Sequence, residues 1–341
     1  MKGQVYKIHS DFYYVKTQDG IFETKLKDVL KKRDEAVFVG DFVDIDVTEG
    51  TVQGFISKLY KRKNFIPKPK AANIEQVVIV SSLKQPELDF EQLDRYIALC
   101  EYYKLNVVLC FSKNDLSDDK DVKEQICSVY EELGYEVLFI SALENYGMTA
   151  LKEKLKNKVS VLCGLSGVGK TTILNILYPE LELKTGEVNK KTLRGTHTTR
   201  HCEMLHVNLS GDEYCKVIDT PGFSHLKFDF LPPEEISELF VEIKPMKNRC
   251  RYKDCLHTIE DGCFILKNID KISQSRYDSY LKFVEEAKEY KKEIQTRSLK
   301  VEAKSKIVNQ GVKTKIGSRQ RAATRRKIKQ NFENIKGIRE E

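Results

Sequence analysis

No apolar run in this 341-residue chain approaches the ~20 residues that a membrane-crossing helix needs. The opening residues, Met1-Lys2-Gly3-Gln4, carry no apolar signal core. These absences lead to the expectation of a cytoplasmic protein without a membrane partner. A secreted disulfide framework is also missing, because the nine cysteines are odd in number and unevenly used. Six of them, Cys100, Cys110, Cys127, Cys163, Cys202 and Cys215, sit singly in apolar or strand-like stretches, where a reduced thiol packs as a small hydrophobe. No internal repeat divides the chain.

What is present is enough chain for two or three domains with real cores. Hydrophobic residues make up 40% and charged residues 32%, a balance ordinary for soluble globular protein. The net charge of +7 is unevenly placed: residues 291–341 hold 16 Lys and Arg against 5 acidic residues, so the preceding 290 residues are net −4. The tail from 298 to 341, low in aromatics and broken by Gly311 and Gly317, is expected to be disordered until it meets a polyanion. A merely solvated charge run is the alternative.

Residues 1–66 alternate apolar and polar in five short runs, at 4–8, 12–16, 21–26, 41–47 and 51–59. Five strands at that spacing predict a small barrel of the OB-fold type. It either binds nucleic acid or caps the next domain. From Ile74 the pattern becomes strand alternating with helix, with apolar runs at 77–80, 107–111, 137–140 and 159–163 and a helical period through Phe90, Leu93, Tyr96, Ile97 and Cys100. That is the signature of a parallel sheet with crossover helices, which places ligands at strand ends. After Pro232-Pro233 the pattern predicts a helix from about residue 234, and a second at 273–293. The expected domains are therefore 1–66, 67–232, 233–297 and the tail 298–341.

Residues 159–163 feed into Gly164-Leu165-Ser166-Gly167-Val168-Gly169-Lys170-Thr171-Thr172, and an apolar helix follows. Its glycines let successive N–H groups face phosphates, Lys170 neutralises the β and γ phosphates, and Thr171 places a hydroxyl on Mg²⁺. Asp219-Thr220-Pro221-Gly222 closes a later apolar run, so Asp219 is a second magnesium residue and Gly222 a γ-phosphate contact. Ser112-Lys113-Asn114-Asp115 and Ser141-Ala142-Leu143 stand at the ends of two earlier strands. Asp115 has two acceptor oxygens for the guanine N1–H and amino group, Lys113 a stem to lie along the base, and Ala142 an N–H for O6. Ser112 stands where such motifs usually have Asn, so one supporting hydrogen bond is expected to be lost or supplied by water. Ordinary small GTPases carry the phosphate loop first and the guanine motifs last. This order is reversed, so the central domain reads as a circularly permuted α/β P-loop GTPase.

Cys250, Cys255, His257 and Cys263 supply three thiolates and an imidazole, the set of a closed tetrahedral zinc site with a structural role. Free cysteines near a turn are the alternative. Arg249, Arg251 and Lys253 interleave with them, placing cations where RNA phosphates would be met.

With these motifs in permuted order between a small barrel and a Cys/His cluster, residues 1–295 resemble the bacterial ribosome-small-subunit-dependent GTPases, the RsgA family. The resemblance implies an OB-fold barrel, a permuted GTPase domain and a C-terminal zinc-binding helical domain. It also implies hydrolysis of GTP to GDP and phosphate, stimulated by the small (30S) ribosomal subunit, in late maturation of that subunit. The implied partners are that subunit and its 16S rRNA, with Mg²⁺ accompanying GTP and one zinc per chain; a monomer is expected. Gly195-Thr196-His197-Thr198-Thr199 would be the first switch, with Thr198 or Thr199 reaching Mg²⁺ and His197 a catalytic candidate whose alternative is an exposed loop histidine. Phe223 follows Gly222 where many GTPases have a water-orienting Gln, which predicts slow unassisted turnover. Two other classes stay open: a small-molecule phosphotransferase in which Asp115 is an unrelated surface acid, and a zinc-containing nucleic-acid binder with a vestigial nucleotide site.

Overall fold

The computed structural model describes residues 1–32, 36–47, 51–117, 119–183, 202–209, 213–219, 227–228 and 230–307. Strand alternation in the first segment is real: β1 (Lys2–His9), β2 (Phe12–Thr17) and β3 (Gly20–Leu26) are followed by the single-turn helix α1 (Asp28–Lys32), then β4 (Phe42–Val47) and β5 (Gln53–Leu59). Alternate residues Val5, Val15, Phe22, Val43, Ile45 and Ile56 turn inward to one core. The strands pair β1-β2-β3-β5-β4, and β4 returns to β1 through Lys2↔Asp44, which closes a five-stranded barrel. Only β3 and β5 run parallel within it. This is the expected OB-like barrel.

A short hairpin of β6 (Phe65–Pro67) and β7 (Lys70–Ala72) leads into the second region, which contains β8 (Gln76–Ser82), α2 (Phe90–Tyr102), β9 (Val107–Ser112), α3 (Lys120–Ile126), β10 (Glu136–Phe139), α4 (Met148–Leu155), β11 (Val159–Cys163), α5 (Lys170–Leu177), β12 (Glu203–Asn208) and β13 (Tyr214–Asp219). The sheet order is β10-β9-β8-β11-β13-β12, parallel except for the antiparallel β12. Its central strands are apolar on both faces because both are covered. Val77, Ile79, Phe111 and Val161 pack with Leu93, Tyr96 and Ile97 of α2, and Val78, Val80, Cys110 and Leu162 pack with Leu151 and Leu155 of α4 and Leu174 of α5. The barrel continues this sheet through one register pair, Lys7↔Glu203, which is also an ion pair at 2.9 Å.

Residues 1–287 form one compact unit and residues 288–341 a second. In the C-terminal part of the first unit, Phe228, Ile236, Phe240, Ile243, Ile265, Tyr280 and Phe283 gather with Ala98 of α2. The helix expected from residue 234 is a 3₁₀ stretch, Pro233–Leu239, ended by the extended backbone of Phe240. Phe240, at φ −111° and ψ 108°, leaves the helical region and closes the segment after seven residues. Helix α6 (Gln274–Ile307) runs past the expected end at 293 and into the segment expected to be disordered. No Gly or Pro interrupts residues 274–307, and the first later breaker is Gly311. Residues 308–341 lie outside the described residues. No helix among the described residues is long and apolar enough to cross a membrane.

The most deeply buried ionic network between α2 and α6 centres on Arg276. Arg276, 1% exposed, donates to Asp94 Oδ1 at 2.8 Å and to Glu242 at 2.8 and 3.1 Å, and Tyr130 Oη donates to the same Asp94 oxygen at 2.9 Å. Removing one partner strands buried charge. Arg276→Ala should therefore cost about 3–5 kcal/mol of stability, read from urea unfolding; a loss below about 1 kcal/mol would show that the network relaxes or hydrates.

Candidate functional site

The nucleotide motifs meet at the C-terminal edge of the sheet, where open α/β sheets hold ligands. β11 ends at Cys163 and the chain turns at Gly164, whose φ is +144° and where a Cβ would lie 2.0 Å from the Val80 carbonyl oxygen. Only glycine fits that approach. Gly169, with φ +94°, turns the chain into α5. Lys170 Nζ then reaches back to donate to the Gly164 and Leu165 carbonyls, both at 2.9 Å, so its ammonium lies across the mouth of the loop. Burial pulls the Lys170 pKa down, against the opposing field of Asp219. Asp219 ends β13, is buried, and is the register partner of Leu162 on β11, the strand that feeds the loop. Thr171 is half-buried and Thr172 exposed in the first turn of α5. The backbone of Gly164, Leu165, Ser166, Gly167, Val168 and Gly169 forms the loop between β11 and α5.

The base-reading residues come to the same edge. Ser112, at the end of β9, donates its buried hydroxyl to the Val168 carbonyl of the phosphate loop at 2.6 Å. This corrects the expected loss of a hydrogen bond there: the serine side chain is short, but the strand end is close enough to the loop for the hydroxyl to span it. Lys113 takes a left-handed φ of 58° and donates from Nζ to the Gln85 carbonyl; burial lowers its pKa. Asp115 Oδ1 accepts from Ser141 Oγ at 2.5 Å, so the second base motif holds the first. Asn114 binds the Ile140 carbonyl through its N–H at 3.0 Å, and its Oδ1 is buried without a partner among the described residues. Ser141 exchanges two 3.0 Å backbone bonds with Tyr146, leaving Ala142 half-buried in the turn between them. The candidates Gly195, Thr196, His197, Thr198 and Thr199, and Thr220, Pro221, Gly222 and Phe223, lie outside the described residues.

A second constellation sits in the C-terminal region. Cys250, Cys255, His257 and Cys263 bring their ligand atoms within 4.8 Å of one another, with all but Cys250 fully buried. Cys250 Sγ lies 3.8 Å from Cys263 Sγ, and both lie 3.5 Å from His257 Nδ1. Bonds of ~2.3 Å to sulfur and ~2.05 Å to nitrogen at a tetrahedral angle require separations of about 3.8 Å and about 3.6 Å. The cluster fits zinc. Backbone N–H groups of Phe264 and Leu266 point at Cys250 and Cys263 sulfurs at 3.3 and 3.4 Å, which favours thiolate. Burial lowers the His257 pKa to about 4, leaving the neutral imidazole that binds metal. Burial opposes the Glu260 carboxylate, but the N–H groups of Thr258, Leu256 and Ile259 outweigh it, hold its pKa at about 2 and fix the ligand loop. Tyr277 and Tyr280 secure that loop from α6 by donating to the His257 and Leu256 carbonyls at 2.7 and 2.8 Å.

Sequence reasoning missed the Gln85 carbonyl beneath Lys113 and the loop around it. Gln85 has a left-handed φ of 57° and precedes a cis proline. The Gln-Pro pair marks a turn, but nothing in the sequence says which side chain the turn will meet.

Fold and site together define a circularly permuted P-loop GTPase with an OB-like barrel before it and a Cys₃His cluster after it. The family description RsgA GTPase matches residues 58–229, RsgA N-terminal domain matches 2–56, and 50S ribosome-binding GTPase matches 159–304. The chain is 38% identical over 290 residues to the small ribosomal subunit biogenesis GTPase RsgA of Alkaliphilus metalliredigens, covering 84% of this chain and 98% of the relative. To the protein of the same name from Clostridium perfringens (strain ATCC 13124) it is 37% identical over 288 residues, covering 84% and 98%. Among solved structures it resembles YjeQ from Thermotoga maritima (TM-score 0.69, 31% identity, 84% of this chain and 98% of that one). It also resembles YloQ, a circularly permuted GTPase (TM-score 0.67, 28% identity, 84% and 95%). The chain belongs to the RsgA family and is a GTP hydrolase.

Proposed function

We propose that this GTPase acts in late maturation of the small ribosomal subunit, with hydrolysis stimulated by the subunit and its 16S rRNA. The observation that carries the nucleotide half is the 2.6 Å bond from Ser112 to Val168, which ties the base-reading strand to the phosphate loop so that one ligand spans both. Asp115 and Ala142 read guanine, the loop from Gly164 to Thr172 cradles the phosphates, and Thr171 and Asp219 hold Mg²⁺. When bound, Mg²⁺ would neutralise charge on the β and γ phosphates. The zinc in the Cys₃His cluster has a structural role, the chain acts as a monomer in the cytoplasm, and its parts divide at 66/67, 232/233 and 297/298.

The partner half is supported by the names of the relatives and by Phe223, whose ring cannot orient an attacking water. Groups supplied in trans accelerate other GTPases by roughly 10³–10⁵. The subunit fills that role here by acting on His197, Thr198, Thr199 and Gly222 and on the attacking water. Sedimentation of the full chain with purified small subunits tests this reading. Retention with a non-hydrolysable GTP analogue and release with GDP are expected; equal retention in both states would remove nucleotide control of binding.

A further inference from the structure

Three basic side chains meet where the barrel lies against the nucleotide-binding sheet. His206 and Lys216 are cross-strand register partners on β12 and β13. Lys16 reaches in from β2, with Nζ 3.3 Å from His206 Nδ1. Lys16 is opposite Gln4 on β1, and Gln4 Oε1 accepts from Lys216 Nζ at 3.0 Å. The Lys216 ammonium lies 5.2 Å from the centre of the Tyr214 ring. Four strands thus converge on one small volume.

Its charge is not neutralised by the fold. Neither Lys16 nor Lys216 forms an ion pair among the described residues, whereas neighbouring Lys7 pairs with Glu203 at 2.9 Å. Glu75 is the acid whose field reaches Lys216, but its Oε2 already accepts from the Val159 N–H at 2.7 Å. Burial, then the charges of Lys16 and Lys216, lower the His206 pKa. Burial and Lys16 lower that of Lys216. Two ammonium groups beside one imidazole, neither paired with a carboxylate among the described residues, leave a local excess of positive charge. His206 and Lys216 are half-buried and Lys16 is exposed, so a counter-charge can reach the group from solvent.

We propose that Lys16, His206 and Lys216 form a binding site for a phosphate of an RNA backbone. The anion is not a phosphate of the bound nucleotide, because Lys216 lies three residues before Asp219, about 10 Å down the strand at ~3.3 Å per residue. Of the flanking groups, Lys7 is neutralised by Glu203, while Glu23 accepts from the uncharged Tyr14 Oη at 3.1 Å. The positive charge is therefore a point, suited to one phosphodiester rather than to a broad lipid surface. Tyr214, whose ring centre lies 5.2 Å from Lys216 Nζ and 6.2 Å from that of His206, gives an aromatic face beside it for a base. Because barrel and sheet both contribute, the bound strand bridges them.

The test uses the full chain and a 12-nucleotide single-stranded RNA, with affinity measured by anisotropy over a range of KCl concentrations. The double variant Lys16→Met, Lys216→Met keeps the aliphatic stems and removes both charges. At about 0.7 per phosphate contact on a single strand, its slope of log affinity against log salt should flatten by about 0.7–1.4, with roughly a tenfold loss of affinity near 0.15 M salt. GDP affinity should stay the same and far-UV circular dichroism should show the fold retained, although the Lys16–His206 and Lys216–Gln4 hydrogen bonds are lost. An unchanged slope and affinity would overturn the proposal. In the unaltered protein the His206 imidazole NMR signals give a second readout. Movement with RNA supports the site; no movement, or the same movement with inorganic phosphate at equal phosphate concentration, refutes an RNA site. The inference rests on the proposed function only for which RNA is met. Failure of the wild-type chain to bind small subunits would count against that function and leave the oligonucleotide result standing.

Discussion

Lys170→Ala is expected to lower kcat for GTP hydrolysis by roughly 10²–10³ or more, the cost of removing one preorganised charge donor from a transition state, about 2.7–4 kcal/mol. The side chain has no core to support. It leaves α5 at its first residue and binds the Gly164 and Leu165 carbonyls at 2.9 Å. Its contact with phosphate oxygens would replace those two bonds and bring the compensating charge that burial now denies it. Thermal stability and zinc content of the variant should match wild type. Wild-type turnover in the alanine variant would remove Lys170 from the phosphate site.

The second large effect concerns zinc. Metal analysis of protein purified without chelators should find one zinc per chain, and Cys255→Ser should release it. The apparent free energy of zinc binding in small peptides is about 10–16 kcal/mol near neutral pH, and it is folding free energy. Here Cys255 and Cys263 belong to the same buried cluster as Ile265, Tyr280 and Phe283, so metal loss should loosen that cluster. A fall of Tm by more than about 5 °C and faster proteolysis between residues 240 and 275 are expected on the scale of a lost structural metal. GDP affinity should change less than twofold, because no ligand of the cluster touches the phosphate loop. Absence of zinc from the native protein would end the structural-zinc reading.

Much of this was legible in the sequence because it is local. Val5, Val15, Val43, Ile45 and Ile56 alternate with polar neighbours, and a period of two can only be a half-buried strand. The phosphate loop is contiguous, and its glycines state the backbone they require. The four candidate metal ligands fall within one short segment, Cys250 to Cys263. What escaped is either long-range or against composition. Arg276 and Asp94 are 182 residues apart, and neither shows in its own neighbourhood that it will be buried. The helical reach of α6 to Ile307 was hidden by a Lys-rich composition that resembles a solvated tail, although those residues are good helix formers. Ser112 departs from the expected Asn, and the motif alone could not say that a hydroxyl would still meet Val168.

Single-turnover GTP hydrolysis with and without purified small subunits separates hydrolysis that waits for the subunit from hydrolysis that does not. A slow rate for the protein alone is predicted, rising at least tenfold and up to roughly 10³–10⁵ with saturating subunits, the range known for groups supplied in trans. The same rate in both conditions would contradict subunit-dependent hydrolysis.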